Sequence, residues 1–180
     1  MSIKPLLCGI ALASVLIGCS SKPEPEGPVQ NFLTKDGQVT ILWKDPAKYA
    51  DIESTSMLQS TFEKYLFSEL TEELGKVANP KLGDAYQLEL EVTNVDLPGD
   101  VKPSFDTGAD DIRVVSDLYP PKMAFTYELK RDGQVVKQGT EKLSDMSFLF
   151  GIEPIGNDPF PYMGRMMEEW FRKAIEPELN

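Results

Sequence analysis

The apolar positions along this chain switch between a two-residue and a three-to-four-residue period. In residues 38–44, Val39, Ile41 and Trp43 alternate with polar positions, Leu42 excepted, which predicts a strand with at least one buried face. Asp45-Pro46 stops it. From residue 55 to 77 the spacing is helical: Leu58, Phe62, Tyr65, Leu66, Leu70, Leu74 and Val77 recur at three- and four-residue steps behind the N-cap hydroxyls of Ser54-Thr55-Ser56. Asn79-Pro80 and Gly83 are the expected stop. Alternation then returns, with Tyr86, Leu88, Leu90 and Val92 on one side and Gln87, Glu89, Glu91 and Thr93 on the other. It breaks at Asn94-Val95, where a bulge is expected.

Residues 96–121 are irregular and rich in Pro, Gly and Asp, with one short β-prone piece at 112–115. A hairpin follows, residues 123–131 and 134–143 around Asp132-Gly133, a pair suited to a type I′ turn. Simple two-residue closure sets Leu129 against Val136 and Glu128 against Lys137. After a second loop, 144–160, a last helix runs from Pro161 to Ile175. Its stripe is Met163, Met166, Met167, Trp170, Phe171 and Ala174, read as core, and Glu168–Arg172 and Glu169–Lys173 are i,i+4 pairs. The sum is an α+β, two-layer fold: a largely antiparallel sheet of four to five strands packed against two helices.

The amino terminus has a different pattern. Lys4 precedes an apolar run from Leu6 to Ile17, too short to span a bilayer and typical of an export signal. Leu16-Ile17-Gly18-Cys19 resembles the lipobox of bacterial lipoproteins. The resemblance implies cleavage before Cys19, acylation of that residue, and, from Ser20 beside it, retention at the outer membrane facing the periplasm. Several acyl chains on one residue give stable attachment where a single chain does not. The expected organisation is a signal over 1–18, a lipidated, proline-rich tether over 19–37, and one α+β domain over 38–176. A proline-rich spacer such as SSKPEPEGPVQ reaches roughly 30 Å when extended.

Composition narrows the chemistry. The 180 residues carry 18 basic and 29 acidic side chains, and losing Lys4 with the signal leaves 17 against 29, a net −12. That disfavours nucleic acid as a partner. Histidine is absent, and Cys8 and Cys19 are consumed by cleavage and acylation, so the usual Cys-His, Ser-His-Asp and zinc chemistry is not expected. No cofactor is implied.

The pieces Trp43-Lys44-Asp45-Pro46 with Tyr49-Ala50-Asp51-Ile52, Glu91 to Leu97, Asp111 to Val115 with Tyr119-Pro120-Pro121, Leu143-Ser144-Asp145-Met146 and Glu169-Trp170-Phe171 resemble the signature blocks of the domain of unknown function 3016 family. They span about residues 38–174 in family order. The resemblance implies a bacterial exported protein without an assigned activity. Members often carry an acid where this chain has Asn94.

Candidate site residues fall in the two long loops. Asp96, Asp106, Asp110 and Asp111 can offer oxygens to calcium, though without EF-hand spacing, and solvated loop acids are the simpler reading. Ser144 is expected to cap a turn, with Asp145 accepting backbone N–H bonds or pairing with Arg113 or Arg165. Met146, Phe148 and Phe150 form an apolar run that, where exposed, marks a partner or ligand surface. With Tyr119 they complete the candidate surface: Asp96, Asp111, Arg113, Tyr119, Ser144, Asp145, Met146, Phe148 and Phe150. The functional expectation is an outer-membrane-anchored module binding an envelope protein or apolar ligand. The alternative is a carboxylate-based hydrolase acting on envelope glycans.

Overall fold

The computed structural model describes residues 30–104, 111–150 and 158–179. A five-stranded sheet is ordered β1-β2-β3-β6-β7, built from β1 (Phe32–Asp36), β2 (Val39–Trp43), β3 (Tyr86–Asp96), β6 (Lys122–Arg131) and β7 (Gln134–Ser144). β4 (Asp100–Lys102) and β5 (Ile112–Val114) form a separate antiparallel ribbon. All neighbours in the main sheet are antiparallel except β2 and β3, whose parallel pairing is allowed by the crossover through helix α1 (Gln59–Leu82). Helix α2 (Pro161–Trp170) completes the helical layer. The two-layer, mostly antiparallel α+β expectation holds.

Period two buries one face of each inner strand. Val39, Ile41 and Trp43, then Leu88, Leu90 and Val92, then Met123, Phe125, Tyr127 and Leu129 lie under the helices. Trp43 stacks on Phe67 of α1 with ring centroids 4.4 Å apart, and Trp170 of α2 meets Phe125 and Tyr127 edge-on. The methionine and aromatic stripe of α2 is core, as its spacing predicts. On the opposite face Glu89 and Glu128 sit directly across from each other, and Lys130 bridges them at 2.6 and 3.3 Å.

β1 corrects the expected tether, because residues 32–36 lie within 19–37 yet form a strand. It is short and only half apolar, so periodicity could not reveal it, and tertiary bonds hold it instead. The Trp43 indole N–H donates to the Thr34 hydroxyl at 2.8 Å, the Thr34 and Thr71 hydroxyls share a hydrogen bond of 2.6 Å, and the Phe67 carbonyl lies within hydrogen-bond distance of Thr71. At the β1–β2 turn Gly37 has φ 54°, and a Cβ there would lie 2.5 Å from the Asn79 side chain, which itself accepts the Gln38 N–H.

Three boundaries also differ from expectation. The Ser54 hydroxyl bonds Met57 in a turn ahead of α1 and does not cap it, so the helix starts at Gln59. It then passes through Pro80 to Leu82: burial of Ala78 and Leu82, and the bonds from Asn79 to Asp36 and Gln38, hold a last turn that proline alone would loosen. After α2, residues Phe171–Ile175 widen into a π turn before Pro177. The pairs Glu168–Arg172 and Glu169–Lys173 form as expected.

The hairpin turns at Asp132 and Gly133, both with positive φ, as a type I′ turn requires. Its register is not the simple one. A bulge at Val136 sets Leu129 opposite Lys137 and Glu128 opposite Gln138. The extra residue rotates Val136 out to solvent and turns Lys137, Gly139 and Glu141 toward the helical face. Inward charges on an edge strand discourage pairing with another chain. Lys137 is satisfied there by the Ala174 carbonyl and Glu178.

Candidate functional site

The strands meet different connections at their two ends. Where β2 and β3 finish, β6 begins and β7 finishes, the chain enters the long segments 44–58, 97–121 and 145–160. The first residue of β1, Phe32, pairs with Trp43 and so stands at this end too. The blocks of family resemblance converge here from far apart in sequence.

Beyond Trp43 the chain stays attached to β3. The Lys44 N–H donates to the Val92 carbonyl, the buried Tyr49 hydroxyl donates to the same carbonyl at 2.9 Å, and the Ala50 N–H donates to Asn94 Oδ1 at 2.8 Å. Burial pushes the Tyr49 phenol up, so it stays a proton donor. An aspartate at position 94 would accept the Ala50 bond equally well, which gives the residue a structural task. Asp51 bonds Val95 and Leu97 through its backbone, extending the parallel pairing one step.

The Asp51 side chain is the electrostatic hub of this end. Arg113 grips it through two bonds of 2.7 and 2.8 Å and donates a third to the Glu53 carbonyl, fastening the β4–β5 ribbon to the main sheet. Burial alone would raise the Asp51 carboxyl; the Arg113 fork and the Glu53 N–H outweigh it and hold it below its ordinary value. The ribbon is closed by Gly99, whose N–H donates to the Tyr119 carbonyl and where a Cβ would lie 2.6 Å from the Val114 carbonyl oxygen.

The second loop is pinned by Arg165 of α2, which donates to Asp145 at 3.3 Å and to the Phe148 carbonyl. Asp145 also accepts the Ser147 N–H and hydroxyl. Arg165, rather than Arg113, is therefore its partner. Ser144 makes no cap; it is the exposed end of β7, opposite Lys122. Phe148 is a correction: it is 1% exposed, packed edge-on against Tyr162 at 5.0 Å, and belongs to the interior. Phe150 at 86% and Met146 at 69% are on the surface. Asp96 pairs with Lys122 at 2.8 Å, Asp111 is exposed, and Tyr119 is partly so. Asp106, Asp110 and Cys19 lie outside the described residues, among which no group of three potential metal ligands gathers.

Two concavities flank Arg113. One is an apolar cleft of about 180 Å³ lined by Phe62, Leu97, Pro98, Val115 and residues 159–163, in which Arg113 is the one charged side chain. The other is an open depression of about 630 Å³ bordered by Asp51, Glu53, Glu63 and Asp100. Sequence reasoning passed over Asp51 because it read as a residue on the way to a helix, although it stood inside a family block. It also passed over Asp158, which accepts the Phe160 N–H at the start of α2. Burial raises the Asp158 carboxyl, and nearby Glu73 adds to the rise.

No curated protein and no solved structure matches the chain. A family model described as protein of unknown function (DUF3016) matches residues 37–173, from the β1–β2 turn through α2 and into the π turn. With the fold, the converging blocks and that match in agreement, the chain belongs to the DUF3016 family of proteins of unknown function.

Proposed function

We propose that the protein is a lipid-anchored module of the bacterial envelope, held through Cys19 at the outer membrane and facing the periplasm, which binds an apolar ligand at the loop-bearing end. The observation that carries the binding half is the cleft between Leu97, Val115 and Phe160. Its walls are apolar, it has a single cation, and the Asp51–Arg113 fork preorganises it. At about 180 Å³ it is smaller than the roughly 300–1,000 Å³ of drug-sized sites, so it suits an aromatic ring or the tip of a chain with an acceptor near Arg113. The anchoring half rests on the lipobox.

The binding test is titration with anilinonaphthalene sulfonate, an apolar probe with an acidic head. Saturable fluorescence enhancement that Val115→Trp abolishes supports the cleft; enhancement unaffected by that substitution refutes it. For the anchor, Cys19→Ala is expected to move the protein out of the membrane fraction, and unchanged fractionation counts against lipidation.

A carboxylate-based hydrolase acting on envelope glycans is the second reading, favoured by the acids around the open depression. Such chemistry needs one carboxyl kept protonated near neutrality. Asp51 is held ionised, and Asp158, whose carboxyl burial raises, does not line that depression. Release of reducing ends from peptidoglycan by the purified protein, lost in Glu63→Gln, would favour this reading.

A further inference from the structure

Among the described residues, fourteen large apolar side chains are exposed, and ten of them lie in the segments of the loop-bearing end: Met57, Leu58, Ile112, Val114, Val115, Leu118, Tyr119, Met146, Leu149 and Phe150. Leu118 and Phe150, at 77% and 86%, are among the most exposed. Apolar surface concentrated at one place on a domain marks contact with something apolar. Backbone bonds make these segments neighbours: Gly99 joins β5 to Tyr119, and the Asp145 N–H donates to the Pro121 carbonyl.

The amino-terminal segment reaches the domain at this same end. Phe32 pairs with Trp43, and the Asn31 side chain accepts the Asp45 N–H at 3.0 Å. Only about a dozen residues separate Cys19 from that point, a covalent reach of at most roughly 40 Å. A chain held at its root presents that root, and the apolar side chains around it, to the surface that holds it.

From this juxtaposition, and resting on the lipidation of Cys19 proposed above, we propose that the loop-bearing end is a membrane-docking face whose exposed apolar side chains enter the lipid interface beside the anchor. The charges at this end suit that role. Asp45, Asp51, Asp96 and Asp145 are neutralised by Lys48, Arg113, Lys122 and Arg165, so approaching lipid strips water from pairs rather than from lone carboxylates. Glu53, Asp111 and Asp117 stay exposed and keep the contact shallow. The overall acidity makes zwitterionic lipid the matching surface, since anionic headgroups repel a body of this charge. The cleft at Val115 then opens beside the bilayer, a direct source of an apolar ligand.

The test uses the full mature chain purified from membranes and reconstituted into phosphatidylcholine–phosphatidylethanolamine vesicles. An environment-sensitive fluorophore is placed at Phe150→Cys, at Leu118→Cys or, as the opposite-end control, at Asp84→Cys. Docking predicts a blue shift and several-fold stronger quenching by spin-labelled lipid at Phe150 and Leu118 than at Asp84, weakened by adding phosphatidylglycerol at low salt. Equal, weak quenching at all three sites in protein that still floats with the vesicles overturns docking and leaves the anchor standing. Protein that does not float, with Cys19 unacylated by mass spectrometry, overturns both. Quenching that is absent while the same two sites crosslink to a membrane protein replaces lipid with a protein partner and also overturns the proposal.

Discussion

The two ends of the sheet solve the same problem, joining neighbouring strands, in opposite ways. At one end β1–β2 and β6–β7 close in two residues each, Gly37-Gln38 and Asp132-Gly133, and α1 passes to β3 within three. At the other, every connection is long and is held by side chains: Arg113 to Asp51, Arg165 to Asp145, Tyr49 to Val92, Asn94 to Ala50. Short turns leave little to vary and place glycine where φ is positive. Long loops carry their own buried pairs, clefts and exposed apolar groups. The comparison teaches that register is secured at one end while side-chain pairs, clefts and exposed apolar groups accumulate at the other, a division seen when a rigid scaffold presents loops.

The largest test of that division is internal to one loop. Phe148→Ser should cost about 3–5 kcal/mol in urea unfolding, because it empties an interior position beneath Tyr162 and buries a hydroxyl. Phe150→Ser, two residues away, should stay within about 0.5 kcal/mol. Equal effects would mean that the loop does not divide into a core half and a surface half.

Next in size is the turn end. Gly37→Val forces a β-branched residue to φ 54° and drives its Cβ into Asn79, for an expected loss of about 2–4 kcal/mol by the same measurement. A loss below about 0.5 kcal/mol would show that the turn relaxes freely and does not secure β1.

At the loop end, Arg113→Ala should cost about 1–2 kcal/mol, since the pair is only partly buried, and should deprotect the β5 amides in hydrogen exchange before the rest of the sheet. The pH dependence has a defined sign. The folded Asp51 carboxyl sits below its ordinary value, so its contribution is complete above the unfolded pKa, about 3.9, and is lost as pH falls through the depressed folded one. Wild type and Asp51→Asn should therefore differ in melting temperature at neutral pH and converge in strong acid. A difference that persists there would assign the effect to packing.

The smallest expected effect has the opposite sign. Asp158 is raised by burial, so its charged form costs stability above the folded pKa, and that cost disappears as pH falls below the ordinary carboxylate value. Asp158→Asn, which can still accept the Phe160 N–H, should melt slightly higher than wild type at neutral pH and match it near the acid limit. A lower melting temperature at pH 7 would mean that the charge itself serves the α2 start.

Much of the fold was legible because it was written locally. Alternation marked β2, β3, β6 and β7, three-four spacing marked both helices, and Asp132-Gly133 marked its turn. The pair Glu168–Arg172 needed only the geometry of one helix. Less of the site was legible. Arg113 and Arg165 were both offered as partners for Asp145, and spacing could not choose between them: Asp145 takes Arg165, while Arg113 takes Asp51, 62 positions earlier, a residue not marked as a candidate. Phe148 and Phe150 read alike in a run of apolar letters, and only the position of Tyr162 separates them.

What the amino-acid sequence determined by itself is the set of periodic segments and which face of each is apolar, since those depend on neighbours two to four residues away. It also carries the acidic balance, which no packing alters. Tertiary structure alone decided that Phe32–Asp36 is a strand, that a bulge at Val136 turns Lys137 inward, and that Asp51 and Arg113 meet. Each of these outcomes turns on which distant segment supplies a bonding partner, and a local period holds no information about that.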